Sequence, residues 1–224
     1  ASEFTGLPGK VYTLTWRITS QCGSTEDTVQ ISFAVFTCGF DDLFYEGQSY
    51  ETVLIGSQCW MAENLNVGIQ INSWWSGFSQ TDNEIIEKFC FDNNAIYCDT
   101  YGGLYEWPEA MQYISTEGAQ GICPEGWHIP SDYEWKMLEG TVDSQYGAGD
   151  PEWDSTGWRG LDAGGNLKES GTTHWNSPNI GATNLSGFTG LPGGYQGISD
   201  WNFYEVGYYG EFWSSTQYNN NTDY

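Results

Sequence analysis

The chain has 224 residues and is strongly acidic, with 6 Lys and Arg against 30 Asp and Glu and a formal net charge of -24. This charge repels nucleic acid and anionic membrane surfaces, so we exclude both as partners. Aromatic residues make up 17% of the chain, which also contains 29 glycines, as is typical of a turn-rich extracellular β or α+β protein. The sequence has no run of 18 apolar residues, so we predict no membrane insertion.

Two segments near the N-terminus alternate with the period of a β-strand. They are residues 11–19 and 28–35, and residues 22–27 between them are small, polar or acidic, as in a turn. We therefore predict a β-hairpin. Because an isolated two-stranded hairpin is marginally stable in water, it must pack on another surface.

Weaker patterns follow in the next part of the chain. A strand is expected at residues 50–56 and an irregular, tryptophan-rich loop at 66–82. A helix is expected from Pro108 to Ser115, since proline suits the first turn of a helix.

A stronger helix signal lies further along. Pro124 and Gly126 predict a turn, and Ser131 followed three residues later by Glu134 forms a capping box. The capping box predicts a helix over residues 132–144.

The rest of the chain carries few periodic signals. Residues 147–184 are rich in glycine and poor in periodic apolar residues, so they predict a long loop region. Short strands are expected around 187–194 and 209–215.

Five motifs in fixed order resemble those of one family. They occupy residues 52–66 (TVLIGSQCWMAENLN), 101–107 (YGGLYEW), 121–135 (GICPEGWHIPSDYEW), 191–195 (LPGGY) and 212–216 (FWSST). The set resembles the Fibrobacter succinogenes major paralogous domain, a repeated bacterial cell-surface module grouped with C-type-lectin-like folds. The similarity covers residues 38–224.

This resemblance implies an α+β fold. Residues 38–224 would form a C-type-lectin-like domain with two short helices, a small antiparallel sheet and a long loop region in which ligand binding usually resides. Residues 1–37 look like the last two strands of an immunoglobulin-like module. Family members continue past the WSST element towards an SVRC strand, which implies that the closing strands and the partner of Cys123 lie beyond Tyr224.

Six cysteines favour an oxidising compartment and an extracellular or cell-surface location. Cys90 and Cys98 bracket a short polar excursion and are the best disulfide pair. Cys38 and Cys59 flank the first expected hairpin of the lectin-like domain, and we predict a second disulfide there. The alternative of a zinc site is weak, because the chain has no C-x-x-C motif and only two histidines.

Catalysis finds little support in the sequence. There is no G-x-S-x-G motif, and His128 sits inside a turn motif, where we assign it a structural hydrogen-bonding role. Paired carboxylates suited to glycoside hydrolysis arise by chance among 30 acidic residues. We therefore predict that the chain is not an enzyme.

Calcium is the stronger chemical candidate, because it binds clusters of carboxylate and amide oxygens. Two groups qualify, one near the Cys90–Cys98 loop and one at the start of the long loop: Asp92, Asn93, Asn94 and Asp99; Asp143, Asp150, Glu152 and Asp154. The first group supplies our predicted metal residues, Asp92, Asn94 and Asp99. A solvated acidic surface is an equally good interpretation of either group.

Tryptophans in the loop segments indicate recognition, since indole rings stack on sugars and anchor protein interfaces. The loop set is Trp74, Trp75, Trp153, Trp158, Trp175 and Trp201. We predict that Trp153, Trp158, Trp175 and Trp201 bind ligand, with packing inside the loops as the alternative. The motif tryptophans are expected to be buried: Trp60, Trp107, Trp127, Trp135 and Trp213.

These observations lead to two functional hypotheses. The first is a secreted, non-enzymatic surface module that acts in adhesion or in recognition of a ligand, such as a surface polysaccharide or protein. The second is a structural subunit of a filament or surface layer, in which neighbouring copies join by β-strand addition.

Overall fold

The computed structural model describes residues 4–7, 9–33, 35–73 and 79–217. The strands within these ranges are β1 Val11–Ser20, β2 Gly23–Ser32, β3 Leu43–Tyr45, β4 Gln48–Tyr50, β5 Thr52–Ile55, β6 Gln58–Met61, β7 Ile69–Gln70, β8 Glu87–Lys88, β9 Tyr195–Gln196 and β10 Phe203–Tyr204. The helices are α1 Ala95–Tyr101, α2 Trp107–Ala110, α3 Asp132–Val142 and α4 Ala163–Leu167, with 3-10 turns at Phe91–Asn93 and Pro151–Asp154.

Helices and strands therefore mix as expected of the α+β class. The strands pair two at a time: β1–β2, β3–β4, β5–β6 and β9–β10 are antiparallel, and β7–β8 is parallel. Four helices form among the described residues where two were expected. The helices α1 and α4 were missed because each is shorter than eight residues and carries no clear apolar period.

The N-terminal hairpin is confirmed, with a tighter turn than expected. Its strands pair in continuous register from Val11↔Ser32 to Ser20↔Gly23, which leaves Gln21 and Cys22 as a two-residue turn. The prediction that residues 23–27 lie in the turn is wrong, because each of them has a cross-strand partner on β1. Two-residue loops are the commonest hairpin connection.

Two apolar clusters form the core of the described residues that follow the hairpin. One contains Tyr50, Val67, Trp107, Met111, Ile122, Cys123 and Ile129. The other contains Ile55, Trp60, Leu138 and Phe188 and joins the β5–β6 hairpin to α3. Four-residue strands and short helices thus gain their stability from packing, not from their own length.

The predicted capping box is present at the start of α3. Ser131 Oγ accepts from Glu134 N at 3.3 Å, and Glu134 Oε2 accepts from Ser131 N at 2.8 Å. The helix then ends at Val142, two residues before the expected end. It ends there because Asp143 adopts an extended conformation and its carboxylate turns towards the following loop.

Other elements also differ from their predicted bounds. Helix α2 ends at Ala110 rather than Ser115, because Gln112 and Tyr113 have φ values of 48° and 57° and so leave the helical region. The strands expected around 187–194 and 209–215 do not form. These segments touch through a single bridge, Gly194↔Gly210, and β9 and β10 lie between them.

Asp143 organises the long loop region. Its Oδ1 accepts from the backbone N–H groups of Gln145 and Tyr146, both at 2.9 Å. Its Oδ2 accepts from three further N–H groups, those of residues 161–163, at 2.8 to 3.0 Å. Desolvation alone would raise the pKa of Asp143, but these donors outweigh it and hold the pKa well below its ordinary value. One carboxylate therefore ties both ends of residues 145–161 together.

We expect Asp143→Asn to lower the free energy of unfolding by about 2 kcal/mol at pH 7, because an amide offers one acceptor oxygen in place of two. A depressed pKa stabilises the folded state above the unfolded value of about 3.9 and loses that contribution as pH falls through the folded value. The difference between variant and native chain should therefore shrink from pH 7 to pH 3 in urea unfolding. Asp82→Asn, at an exposed carboxylate, is the control, and a difference that is unchanged at pH 3 would contradict this account.

Candidate functional site: an aromatic groove

Two of the four predicted ligand-binding tryptophans lie inside the long loop region. Trp153 is 1% exposed, and its Nε1 donates to Gly147 O at 2.9 Å. Trp175 is 8% exposed, with its Nε1 bonded to Gly190 O and Lys168 Nζ 3.8 Å from its ring centroid. This corrects the prediction, because neither ring has a free face for a ligand. A loop of this length needs its own apolar core.

The other two are accessible to different degrees. Trp158 is 96% exposed, and Trp201 is half-buried with a φ of 61°. The structure does not bring them into the cavity described below. Trp74 and Trp75 lie outside the described residues.

The predicted calcium residues take different roles. Asn94 Oδ1 accepts from Ile96 N at 3.1 Å and caps α1, while Asp99 lies near Lys88. Asp92 has a φ of 56° within the short 3-10 turn. In the ranges that the structure describes, no three His, Cys, Asp or Glu side chains are grouped as a metal site. Calcium binding stays a prediction.

A cavity of about 550 Å³ opens elsewhere, and the motif residues build it. We call it the aromatic groove. Its walls come from β6, from residues 103–105, from the turn at 126–130 and from residues 211–213, and Ile122 and Cys123 lie at its base. Nine Phe, Tyr and Trp side chains of the described residues line it: Phe36, Trp60, Tyr101, Tyr105, Trp127, Trp135, Phe188, Phe212 and Trp213. It is the concave, apolar type of surface that binding sites favour.

Indole hydrogen bonds fix the wall formed by residues 211–216. Trp213 Nε1 donates to Tyr105 O at 2.7 Å, and Trp135 Nε1 donates to Trp213 O at 3.1 Å. Trp107, which is buried in the core, donates from its Nε1 to Ser214 O at 2.8 Å. Of the motif tryptophans expected to be buried, Trp60 and Trp107 are buried, Trp127 and Trp135 are only half-buried, and Trp213 is 38% exposed. These three tryptophans are accessible because their rings line the groove.

Polar groups stand among the aromatic ones. His128 Nε2 lies 2.9 and 3.0 Å from the two oxygens of Glu134, and Gln58 Nε2 donates to the same carboxylate at 3.0 Å. His128 is therefore hydrogen-bonded within its own turn and helix start, as predicted. Desolvation raises the pKa of both Glu63 and Glu211. The groove is therefore apolar with an acidic border.

Cys123 lies at the base of the groove with its thiol free, and burial raises its pKa to about 12. A thiol that stays protonated is a poor nucleophile. The four other cysteines outside the hairpin form the predicted disulfides, Cys38–Cys59 and Cys90–Cys98, with Cα–Cα distances of 5.8 and 5.1 Å.

Strand β6 presents an unpaired edge at the groove. Ala62 N donates to Glu51 O at 2.9 Å, and in an antiparallel ladder hydrogen-bonded pairs alternate with non-bonded ones. Trp60 therefore bonds to β5, while the backbone N–H and C=O groups of Cys59 and Met61 point away from it. Those groups have no hydrogen bond to another residue of the described chain. Both residues line the groove, so the groove has an open strand edge along one side.

Sequence reasoning missed this site because its residues belong to motifs that were interpreted as core. The available signal was the density of aromatic residues in three of those motifs, at 101–107, 121–135 and 212–216. Their convergence depends on contacts across about 80 to 110 residues of sequence, such as Trp213 with Tyr105 and Trp135.

These features define a disulfide-bonded α+β domain with an aromatic groove and a long loop region held by its own side chains. No helix among the described residues has both the length and the apolar character to cross a bilayer. Residues 53–224 match the Fibrobacter succinogenes major domain, and the chain belongs to that family. No curated protein and no solved structure matches the chain.

Proposed function

We propose that this chain is an extracellular, non-enzymatic surface module that acts in adhesion by binding a ligand in the aromatic groove. The groove is the observation that carries the proposal. It places nine aromatic side chains of the described chain around a cavity of about 550 Å³ with an acidic border. Aromatic rings of this kind stack on sugar rings and anchor protein interfaces, so the ligand is a surface polysaccharide or a surface protein.

The disulfides support the extracellular location, because such bonds persist in oxidising compartments. We also propose that residues 38–224 have a C-type-lectin-like fold and that residues 1–37 derive from an immunoglobulin-like module. The long loop region, the short helices and the pattern of disulfides are compatible with the first assignment, and the exposed two-stranded hairpin is compatible with the second.

Affinity electrophoresis tests the adhesion proposal. We expect at least one member of a panel of cell-wall polysaccharides and immobilised surface-protein extracts to retard the native chain. Phe212→Ala should abolish this retardation, because Phe212 lines the groove and is 40% exposed. Phe40→Ala should bind as the native chain does, since Phe40 is 89% exposed and lies outside the groove. Equal retardation of the two variants, or no retardation by any ligand, would refute the proposal.

A second candidate function is a structural subunit of a filament or surface layer, and the exposed hairpin favours it. On β1, the side chains of Tyr12, Leu14, Trp16 and Ile18 share one face. Trp16 is 48% exposed and Ile18 is 67% exposed. An apolar strand face in water is a surface that a partner can cover.

A further inference from the structure

Strand β1 has an unpaired edge as long as the strand itself. Phe33 N donates to Lys10 O at 3.0 Å, which fixes the alternation of bonded pairs along the hairpin. The backbone groups of every second residue of β1 therefore point away from β2: Val11, Thr13, Thr15, Arg17 and Thr19. None of these N–H groups has a hydrogen bond to another residue in the described ranges.

Each copy of the chain thus carries two complementary open edges. The edge of β6 lies beside an apolar groove, and the edge of β1 belongs to a strand with one apolar face. Strand addition satisfies backbone groups on both partners and lets alternate side chains enter pockets. The groove can therefore receive the apolar face of β1 as the two edges pair.

Charge favours this occupant over an arbitrary segment of the chain. Residues 9–33 carry Lys10 and Arg17 against Glu26 and Asp27, so the hairpin is neutral in a chain of net charge -24. The hairpin can therefore approach the acidic border of the groove with less repulsion than the chain as a whole would meet. Within the hairpin, Arg17 is paired with Glu26, so it is the neutrality of the hairpin, and not a free cation, that favours this approach. The other cations are held elsewhere: Lys88 on Asn66, Lys136 on Asp132 and Asp154, Arg159 on Glu139, and Lys168 over Trp175.

The hairpin of the same copy does not fill the groove. The link after β2 is held at the rim, where the Phe36 ring packs 6.1 Å from that of Trp127 and Cys38 is bonded to Cys59. From that point the hairpin extends into solvent, with every residue of β2 but Ile31 exposed. The edge of β6 is therefore left for a strand from another molecule.

We propose that the outer edge of β1 in one copy pairs with the edge of β6 in a second copy, so that the Trp16 face enters the aromatic groove. This inference rests on the second candidate function, and it names the surfaces that meet. The contact is heterologous, since each copy donates a hairpin and accepts another, so it propagates as an open chain unless the rotation closes a ring.

A pair of matched substitutions tests the pairing. Thr15 and Thr28 are directly opposite each other in the hairpin, and the backbone N–H of each points to an outer edge, that of β1 or of β2. Proline at either position removes an outward N–H and leaves the hairpin hydrogen bonds in place. The Thr28 N–H also donates to Asp27 Oδ1 at 2.8 Å. Thr28→Pro therefore blocks the edge of β2 and loses this one local bond, whereas Thr15→Pro blocks the edge of β1.

We expect light scattering of the native chain to give a mass that rises with concentration and reaches at least that of a dimer. Thr28→Pro should behave in the same way, and Thr15→Pro should stay at the 25.1 kDa of one chain. Added to the native chain, Thr15→Pro should lower the average mass, because it can accept a hairpin but cannot donate one. Matching circular dichroism spectra of the two variants verify their folding.

Three outcomes would overturn the inference: a native chain that is monomeric at every concentration, equal assembly by both variants, or loss of assembly in both. A groove that holds the hairpin of a second copy is closed to other ligands, so adhesion belongs to grooves that assembly leaves open. The Phe212→Ala and Phe40→Ala comparison tests that adhesion separately.

Discussion

Trp153→Ala should lower the free energy of unfolding by about 3–5 kcal/mol, the usual cost of truncating a buried tryptophan. The side chain is 1% exposed and lies against the ring of Tyr146 in edge contact. Two glycines make room for it, since a Cβ at Gly140 would lie 2.7 Å from its Nε1 and one at Gly160 would lie 2.6 Å from its Cη2. Because the indole is packed this closely, its removal leaves a cavity that the surrounding backbone cannot fill.

The backbone of Trp153 adds to the effect. Its carbonyl accepts from Arg159 Nη1 at 2.8 Å, and Arg159 Nε donates to Glu139 at 2.7 Å, which joins the loop to α3. Urea unfolding followed by circular dichroism measures the loss. Trp158→Ala is the matched control, because Trp158 is 96% exposed and its truncation should change stability by less than about 0.5 kcal/mol. Equal effects of the two substitutions would show that Trp153 is not a core residue.

The second large effect is expected on replacing Cys38 and Cys59 by Ala together. The disulfide closes a loop with a sequence separation of 21, and the chain-entropy relation gives a loss of about 3.4 kcal/mol for that length. Both cysteines are half-buried, so the cavity left behind is small. The loss should therefore come mainly from the freedom gained by the unfolded chain.

Two measurements sharpen this prediction. The native chain treated with a strong reductant should lose the same stability as the double variant, after allowance for the second disulfide. The hydrogen bonds from Gly39 N to Thr52 Oγ1 and from Thr52 Oγ1 to Asp41 O should keep the linking segment on β5, so the variant should retain groove binding. A double variant as stable as the native chain in urea would contradict the loop-closure argument.

The sequence predicts reliably those features that depend only on neighbouring residues. Ser131 and Glu134 are three residues apart, and their reciprocal bonds depend only on the first turn of α3. The alternation in residues 11–19 predicts a strand because side chains on a strand alternate between two faces. The disulfide pairs followed from short separations and from the order of the motifs, which also identified the family.

Only the tertiary structure decided which aromatic residues are buried and which line a site. Trp153 and Trp158 are five residues apart in the same loop and look alike in sequence, yet one is 1% exposed and the other 96%. The difference arises because Gly140 and Gly160, on separate segments, leave space for one indole.

The aromatic groove was beyond sequence analysis for the same reason. Trp213 becomes a wall because its indole reaches Tyr105 O, a contact across 108 residues. The edge of β6 is likewise free because no other strand lies beside it in the described fold, which the residues of β6 do not reveal. Sequence by itself determined the family, the disulfides and the elements set by neighbouring residues. Packing between distant segments determined the binding surface, because burial depends on every segment that meets at a point.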